Sequence, residues 1–171
     1  MKLRVLDPAE IAAHADALGA VLADCVEGGA SVSFMAGLDG ARAAAFWRAA
    51  AASAADDGRT VIVAEDETGV VGVVQLIPAG VENQPHRADV SKMLVHRRAR
   101  RQGVAAALLA AVEAAARATG KTILVLDTLE GGDAERLYRR AGWTAAGVIP
   151  DYALTPDGRP WATVVFWKRV A

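Results

Sequence analysis

Two stretches of this sequence carry residues whose types and spacing could do chemistry. The first is ADVSKMLVHRRARRQGVAAALL, residues 88–109. A β-branched, partly alternating run, 89–95, leads through His96, Arg97, Arg98, Arg100 and Arg101 to Gln102-Gly103. Val104, Leu108, Leu109 and Val112 then recur at helical spacing. The pattern is strand, tight basic loop, helix. A helix that opens behind a glycine turn offers unpaired N–H groups and the positive end of its dipole, a site for phosphate oxygens. Gly103 lets phosphates approach the main chain with no Cβ in the way. The second stretch is TILVLDT, 122–128, where Asp127 is a charge in an apolar, strand-like run. Such a carboxylate serves as a general base or an anchor for a cationic substrate, or else as a cap or an ion-pair partner of Arg87 or Lys92.

Other chemistries are excluded on the same grounds. Cys25 is the single cysteine, so no internal disulfide forms, and no cysteine–histidine spacing suits zinc. His14, His86 and His96 show no metal-ligand spacing, and His96 reads as a surface histidine. Thr119-Gly120-Lys121-Thr122 ends like a nucleotide loop but has Ala115 where the first glycine belongs, and it ends a helix and opens a strand, the reverse of the required order. A net charge of −1 argues against a general nucleic-acid binder. Asp7, Glu10, His14 and Asp16 interrupt the N-terminal region, so the expectation is a cytoplasmic protein without signal peptide, membrane span or membrane association.

The elements that must position these residues follow from periodicity. The 171 residues fit one domain, 1–171. KLRVL, 2–6, reads as a strand, and Asp7-Pro8 starts a helix to about Val26, ended by Gly28-Gly29. Val32, Phe34 and Met35 fall in a loop before a second helix from about Leu38 to Ala55. Residues 60–64 and 70–77 form a hairpin with its turn near Gly69, and Gly72 marks a close backbone approach. After the strand–loop–helix unit, 121–128 is a buried strand expected to lie parallel to 89–95. A short helix, 134–141, with Asp133 suited to its N-cap, precedes strands over 143–148 and 150–154 and a last strand over 162–167.

The spacing Arg100-x-x-Gly103-x-Ala105, in its strand–loop–helix setting, resembles the pyrophosphate loop of the GCN5-related N-acetyltransferase (GNAT) family, and the element order agrees from end to end. The resemblance implies an α/β (α+β) GNAT fold with a mixed, twisted sheet of about seven strands flanked by about four helices. It implies an enzyme that uses acetyl-CoA as acetyl donor, with the amides of Arg101, Gln102, Gly103, Val104, Ala105 and Ala106 on the pyrophosphate and Arg97, Arg98 or Arg100 neutralising phosphate charge. Main-chain groups of Met93, Leu94 and Val95 would pair with the pantetheine, one of them polarising the thioester carbonyl. Tyr138, four residues before Gly142, matches the tyrosine that can protonate the departing thiolate or merely pack against the cofactor. Gly131 departs from the pattern, since many relatives have Asn there, and one side-chain contact is lost with it.

In this family a protonated amine acceptor must lose a proton before attack, and Asp89 and Asp127 stand on the two strands that splay at the acyl group. Phe34 and Trp47 are candidates for lining the acceptor pocket, with ordinary core packing as the competing account. Transfer is expected to be direct, because Cys25 lies outside the motif regions. RLYRRAGWTAAGVIPDYALTPDG is similar to the tabtoxin-resistance branch of the family. That implies a small amine or amino-acid-like acceptor, a toxin or antibiotic, with Asp151 and Tyr152 near the pocket mouth. A homodimer is common among such relatives. The competing functions are a non-catalytic acyl-CoA-binding module, a protein N-acetyltransferase, and a nucleic-acid binder using Arg97 to Arg101.

Overall fold

Asp7 opens the helical part of the chain with a capping box: its carboxylate accepts from the Glu10 amide at 2.7 Å, and Glu10 accepts from the Asp7 amide at 3.0 Å. The structure, a computed structural model, describes residues 1–170. Strand β1 (Lys2–Leu6) leads into α1 (Pro8–Ala13) and α2 (Ala15–Glu27). The sequence pattern suggested one helix here; His14 divides it, its ring Nδ1 lying 2.8 Å from the Glu10 carbonyl while its amide bonds the same oxygen. Helix α3 (Gly40–Asp57) follows a loop and is capped by Asp39. Next come β2 (Thr60–Asp66), β3 (Gly69–Pro78) and β4 (Arg87–Val95), a 3₁₀ turn (Arg97–Ala99), and α4 (Val104–Ala118). The chain ends with β5 (Ile123–Leu129), α5 (Asp133–Arg140), β6 (Thr144–Leu154) and β7 (Pro160–Arg169). Gly132, not Asp133, takes the N-cap of α5.

Among the described residues the strands form one mixed seven-stranded sheet in the order β1-β2-β3-β4-β5-β7-β6, with five α-helices, one more than expected because of the break at His14. Only β4 and β5 pair in parallel, across α4, as the β-α-β reading of the sequence requires. Two cores flank the sheet. On one face α4 presents Val104, Leu108, Leu109, Val112 and Ala116 to β2, β3, β4 and β5, joined by Tyr138, Trp143 and Phe166. On the other, α1, α2 and α3 bury Ile11, Leu18, Leu22 and Trp47 against Val61, Val63, Val73 and Leu94. No helix among the described residues is long and apolar enough to cross a membrane.

Two features of the packing fix the functional end of the sheet. Gly72 on β3 lies under α4: a Cβ there would meet Leu108 Cδ1 at 2.9 Å and both the Leu94 carbonyl and Val104 Cγ1 at 3.1 Å. The missing side chain therefore sets how closely the first turn of α4 approaches β3 and β4. The second feature is a bulge in β4. Ser91 to Leu94 spans the same length as Gln75 to Val73, so β4 carries one extra residue. Val90 sits in the α4-side core and Leu94 in the opposite one, although strict alternation would put both on one face. Lys92, at φ 50°, absorbs the irregularity.

Gly72→Ala tests the first feature. It is expected to cost roughly 1–3 kcal/mol in urea unfolding, the range of an overpacked core, and to weaken coenzyme A binding by calorimetry, because the N-terminus of α4 must move.

Candidate active site

Two residues ahead of the bulge, β4 and β5 part. Their pairing runs from Arg87↔Ile123 to Asp89↔Val125 and stops. β4 continues to Val95 on β3 alone, and β5 continues to Leu129 on β7 alone. Main-chain groups alternate along a strand. The His96 amide donates to the Val71 carbonyl at 2.9 Å, so Leu94 faces β3 with it, while Met93 and Val95 present N–H and C=O toward the gap. The Val95 carbonyl already accepts from Arg100 Nε at 3.2 Å.

The loop from β4 to α4 forms the floor of this gap. Arg101 (φ 62°) and Gly103 (φ 82°) are both left-handed, which turns successive amides toward one side, and Gly103 caps α4 with no side-chain hydrogen bond. The first main-chain bond of α4 runs from Ala107 to Gly103, 3.0 Å. Among the described residues, no acceptor meets the amides of Arg101, Gln102, Gly103, Val104, Ala105 or Ala106. A Cβ on Gly103 would meet nothing within 4 Å, so the space before these amides is open.

The arginines divide by function. Arg97 bonds Asp24 through its amide and Nε, each at 2.8 Å, and Glu27 through Nη2 at 2.8 Å. Arg98 pairs with Asp66 at 2.5 Å. Both guanidinium groups thus tie the loop to α2 and to the end of β2, while the charges of Arg100 and Arg101 are felt by Asp133 at the start of α5. Burial by itself would raise the Asp24 pKa, but the Arg97 amide, the Arg97 guanidinium and His96 outweigh it and hold the carboxyl below its ordinary value.

Of the two candidate carboxylates, Asp89 is engaged: Arg87 Nη1 lies 2.6 Å from its Oδ1, at a point where β4 and β5 still pair. It stands outside the gap. Asp127 stands in it, exposed and without an ion pair among the described residues. It is oriented by the Thr163 hydroxyl, which lies 3.0 Å from Oδ2 and 2.8 Å from the Thr128 carbonyl. Tyr138, on α5, packs between Trp143 and Phe166 at centroid distances of 5.8 and 6.0 Å, and its hydroxyl has no hydrogen-bond partner among the described residues. Burial first, then the charge of Asp127, pushes its phenol well above the usual tyrosine range. The group stays protonated.

Trp47 follows the core-packing account and not the pocket-lining one. It is 0% exposed inside the α1–α3 core, with no surface for an acceptor to touch. Its neighbour Phe46 faces the open side instead, edge-on to Phe34 at 5.5 Å, and Lys92 Nζ stands 5.4 Å from its ring centroid. Lys92 also donates to Ser33 Oγ at 3.2 Å. Sequence reasoning missed Phe46, Ser33 and the placement of Lys92; a lysine set in an apolar strand was the available signal. Asp151 and Tyr152 lie on the irregular, exposed part of β6, with β7 between them and β5. The end of that hairpin meets the loop between α2 and α3: the Leu154 carbonyl accepts from Ser31 at 3.1 Å and that of Pro156 from the Ala36 amide at 2.9 Å.

A sheet that opens between two parallel strands, with bare amides at the following helix, has counterparts among known proteins. Residues 57–145 match the acetyltransferase (GNAT) domain family, and the chain belongs to that family. It is an acetyl-CoA-dependent N-acetyltransferase. The whole chain is similar to a ribosomal-protein-alanine N-acetyltransferase from Brucella melitensis, with 25% identity, 99% of each chain covered and a TM-score of 0.82. The fold is shared with an N-acetyltransferase from Staphylococcus aureus Mu50 (15% identity, 100% of each chain, TM-score 0.82). It is shared too with a phosphinothricin acetyltransferase from Sinorhizobium meliloti in complex with acetyl-CoA (18% identity, 100% of this chain and 90% of that one, TM-score 0.81). The donor fits the unsatisfied amides, the open space at Gly103 and the unpaired edge of β4.

Two outcomes follow. Gly103→Glu places a carboxylate before the amides at a left-handed position, so acetyl-CoA binding by calorimetry is expected to vanish at a folding cost of only about 1 kcal/mol. Asp24 contributes stability that is complete above its unfolded value of about 4 and is lost as pH falls through its depressed folded value. Asp24→Asn should therefore lower the urea midpoint at pH 7, and its difference from wild type should shrink below about pH 4.

Proposed function

We propose that the enzyme moves the acetyl group directly onto the primary amine of a small, amino-acid-like molecule, as the sequence resemblance to the tabtoxin-resistance branch implies. The observation that carries this reading is Asp127: an oriented carboxylate without an ion pair, beside the free edge of β4, whose charge is felt by Tyr138. The contacts from Ser31 to Leu154 and from Ala36 to Pro156 bridge the acceptor side and favour a small molecule over a polypeptide. A phosphinothricin acetyltransferase among the shared folds agrees with that class. Val148, Ile149, Tyr152 and Leu154, apolar and exposed on edge strand β6, support a homodimer.

Acetyl-CoA supplies a thioester whose carbonyl carbon accepts the amine. Arg100, Arg101 and the amides of 101–106 would hold its phosphates, and the main chain of Met93 and Val95 would hold the arm that carries the thioester. An N–H of this edge polarises the carbonyl as charge gathers on its oxygen. Asp127, directly or through a water, takes a proton from the acceptor's ammonium. The C–N bond would form as the C–S bond breaks, Tyr138 giving its proton to the departing sulfur while the second proton shed by the acylated nitrogen returns to the Tyr138 oxygen. A phenol raised by burial is never lost to bulk base at neutral pH, and it recovers its proton readily.

Coenzyme A release with an amine library tests the reading. Tyr138→Phe is expected to lower kcat about 100-fold, the lower end for general acid catalysis, with acetyl-CoA affinity by calorimetry within about twofold. A Tyr138→Phe enzyme with unchanged kcat would reduce the residue to a packing role.

A further inference from the structure

Lys92 is a half-buried cation without an anion. Its Nζ is met by the Ser33 hydroxyl at 3.2 Å and by the face of Phe46 at 5.4 Å, and no carboxylate lies within ion-pair distance among the described residues. Removing an ammonium from water is unfavourable unless a counter-charge is supplied. The backbone is committed to this arrangement. Lys92 and Ser33 are both left-handed non-glycine residues, φ 50° and 75°, so each end of the hydrogen bond is held in a sparsely populated conformation. Asp127, on the strand across the gap, exerts its charge on Lys92 without pairing with it. A cation and an anion thus face one space and stay apart.

We propose that Lys92 and Ser33 form an anion-binding subsite for the acceptor, so that the substrate is a zwitterion whose carboxylate sits on Lys92 and Ser33 while its ammonium faces Asp127. This rests on the amine-acetylation reading above and narrows it to acceptors of the amino-acid type. Phe46 and Phe34 line the same side and leave apolar surface for the acceptor's carbon frame. An amine without an acidic group leaves Lys92 unpaired and binds weakly.

The test uses matched sets: L-α-amino acids, their carboxamides and the corresponding decarboxylated amines. Each is assayed twice, by coenzyme A release with acetyl-CoA and by calorimetric binding to protein saturated with coenzyme A. Coenzyme A binding alone checks the donor site, so its absence would count against the acetyltransferase reading and is distinguishable from failure here. The expected result is a wild-type preference for at least one acid over its amide and amine. Lys92→Met should raise the KM and Kd for that acid roughly tenfold or more, the loss of a charge-assisted hydrogen bond, while the amide changes less than about twofold. Lys92→Arg should keep part of the preference. A wild type that prefers no acid in either assay overturns the proposal, as does a Lys92→Met enzyme that loses acid and amide equally. Stoichiometric acetylation of Lys92 itself, read by mass spectrometry, overturns it as well.

Discussion

The extra residue in β4 is the constraint on which this molecule's site depends. A parallel pair of strands would otherwise continue to satisfy its own main-chain groups, leaving nothing for a ligand to bind. One residue inserted between Ser91 and Leu94, just past the last β4–β5 pair at Asp89, reverses the sidedness of the rest of β4 and carries Leu94 into the opposite core. The unpaired edge is energetically acceptable only because both strands keep a second partner, β3 for one and β7 for the other. The gap is therefore a stable property of the sheet, present before any ligand arrives.

What surrounds the gap is organised by charge. The basic loop would repel itself if its arginines stood alone. Asp24, Glu27 and Asp66, from α2 and the β2–β3 turn, take up Arg97 and Arg98 and make the loop rigid. That leaves Arg100 and Arg101 without a carboxylate partner among the described residues, in the same loop as the bare amides that open α4. Gly72 completes the arrangement from below. Its missing Cβ sets the height of α4 over the sheet and so fixes where those amides point.

Periodicity made much of this legible. Strand, loop and helix over 87–118 were readable because β4 alternates up to the bulge and the apolar residues of α4 recur on one face. The helix start at Asp7-Pro8 and the close packing at Gly72 were equally plain. The bulge itself leaves no mark in composition, since Ser91-Lys92-Met93 reads the same paired or displaced. Trp47 and Phe46 could not be told apart because α3 is alanine-rich on every side, so no polar face sets its phase; the fold buries 43, 47, 50 and 51 and turns Phe46 outward. The pairing of Arg97 with Asp24 joins residues 73 apart in the chain, and Asp89 met its partner only two residues away. Local ion pairs and long-range ones look alike in a sequence, which is why the basic loop could not be divided into structural and ligand-facing arginines.

The same logic bears on how a proton could cross the site. Asp127 and Tyr138 are neighbours with opposing needs: the carboxylate's charge and the surrounding rings both disfavour the phenolate. If Asp127 were permanently paired with Lys92, that influence would be cancelled and the carboxylate would be a poorer base. Ser33 and Phe46 hold the ammonium away from it instead. On the proposed reading, an acceptor that brings its own anion to Lys92 would keep the two charges separate while the ammonium it delivers gives up a proton to Asp127. The amine then becomes nucleophilic only when both ends of the molecule are seated, so binding geometry and proton removal select the same acceptor.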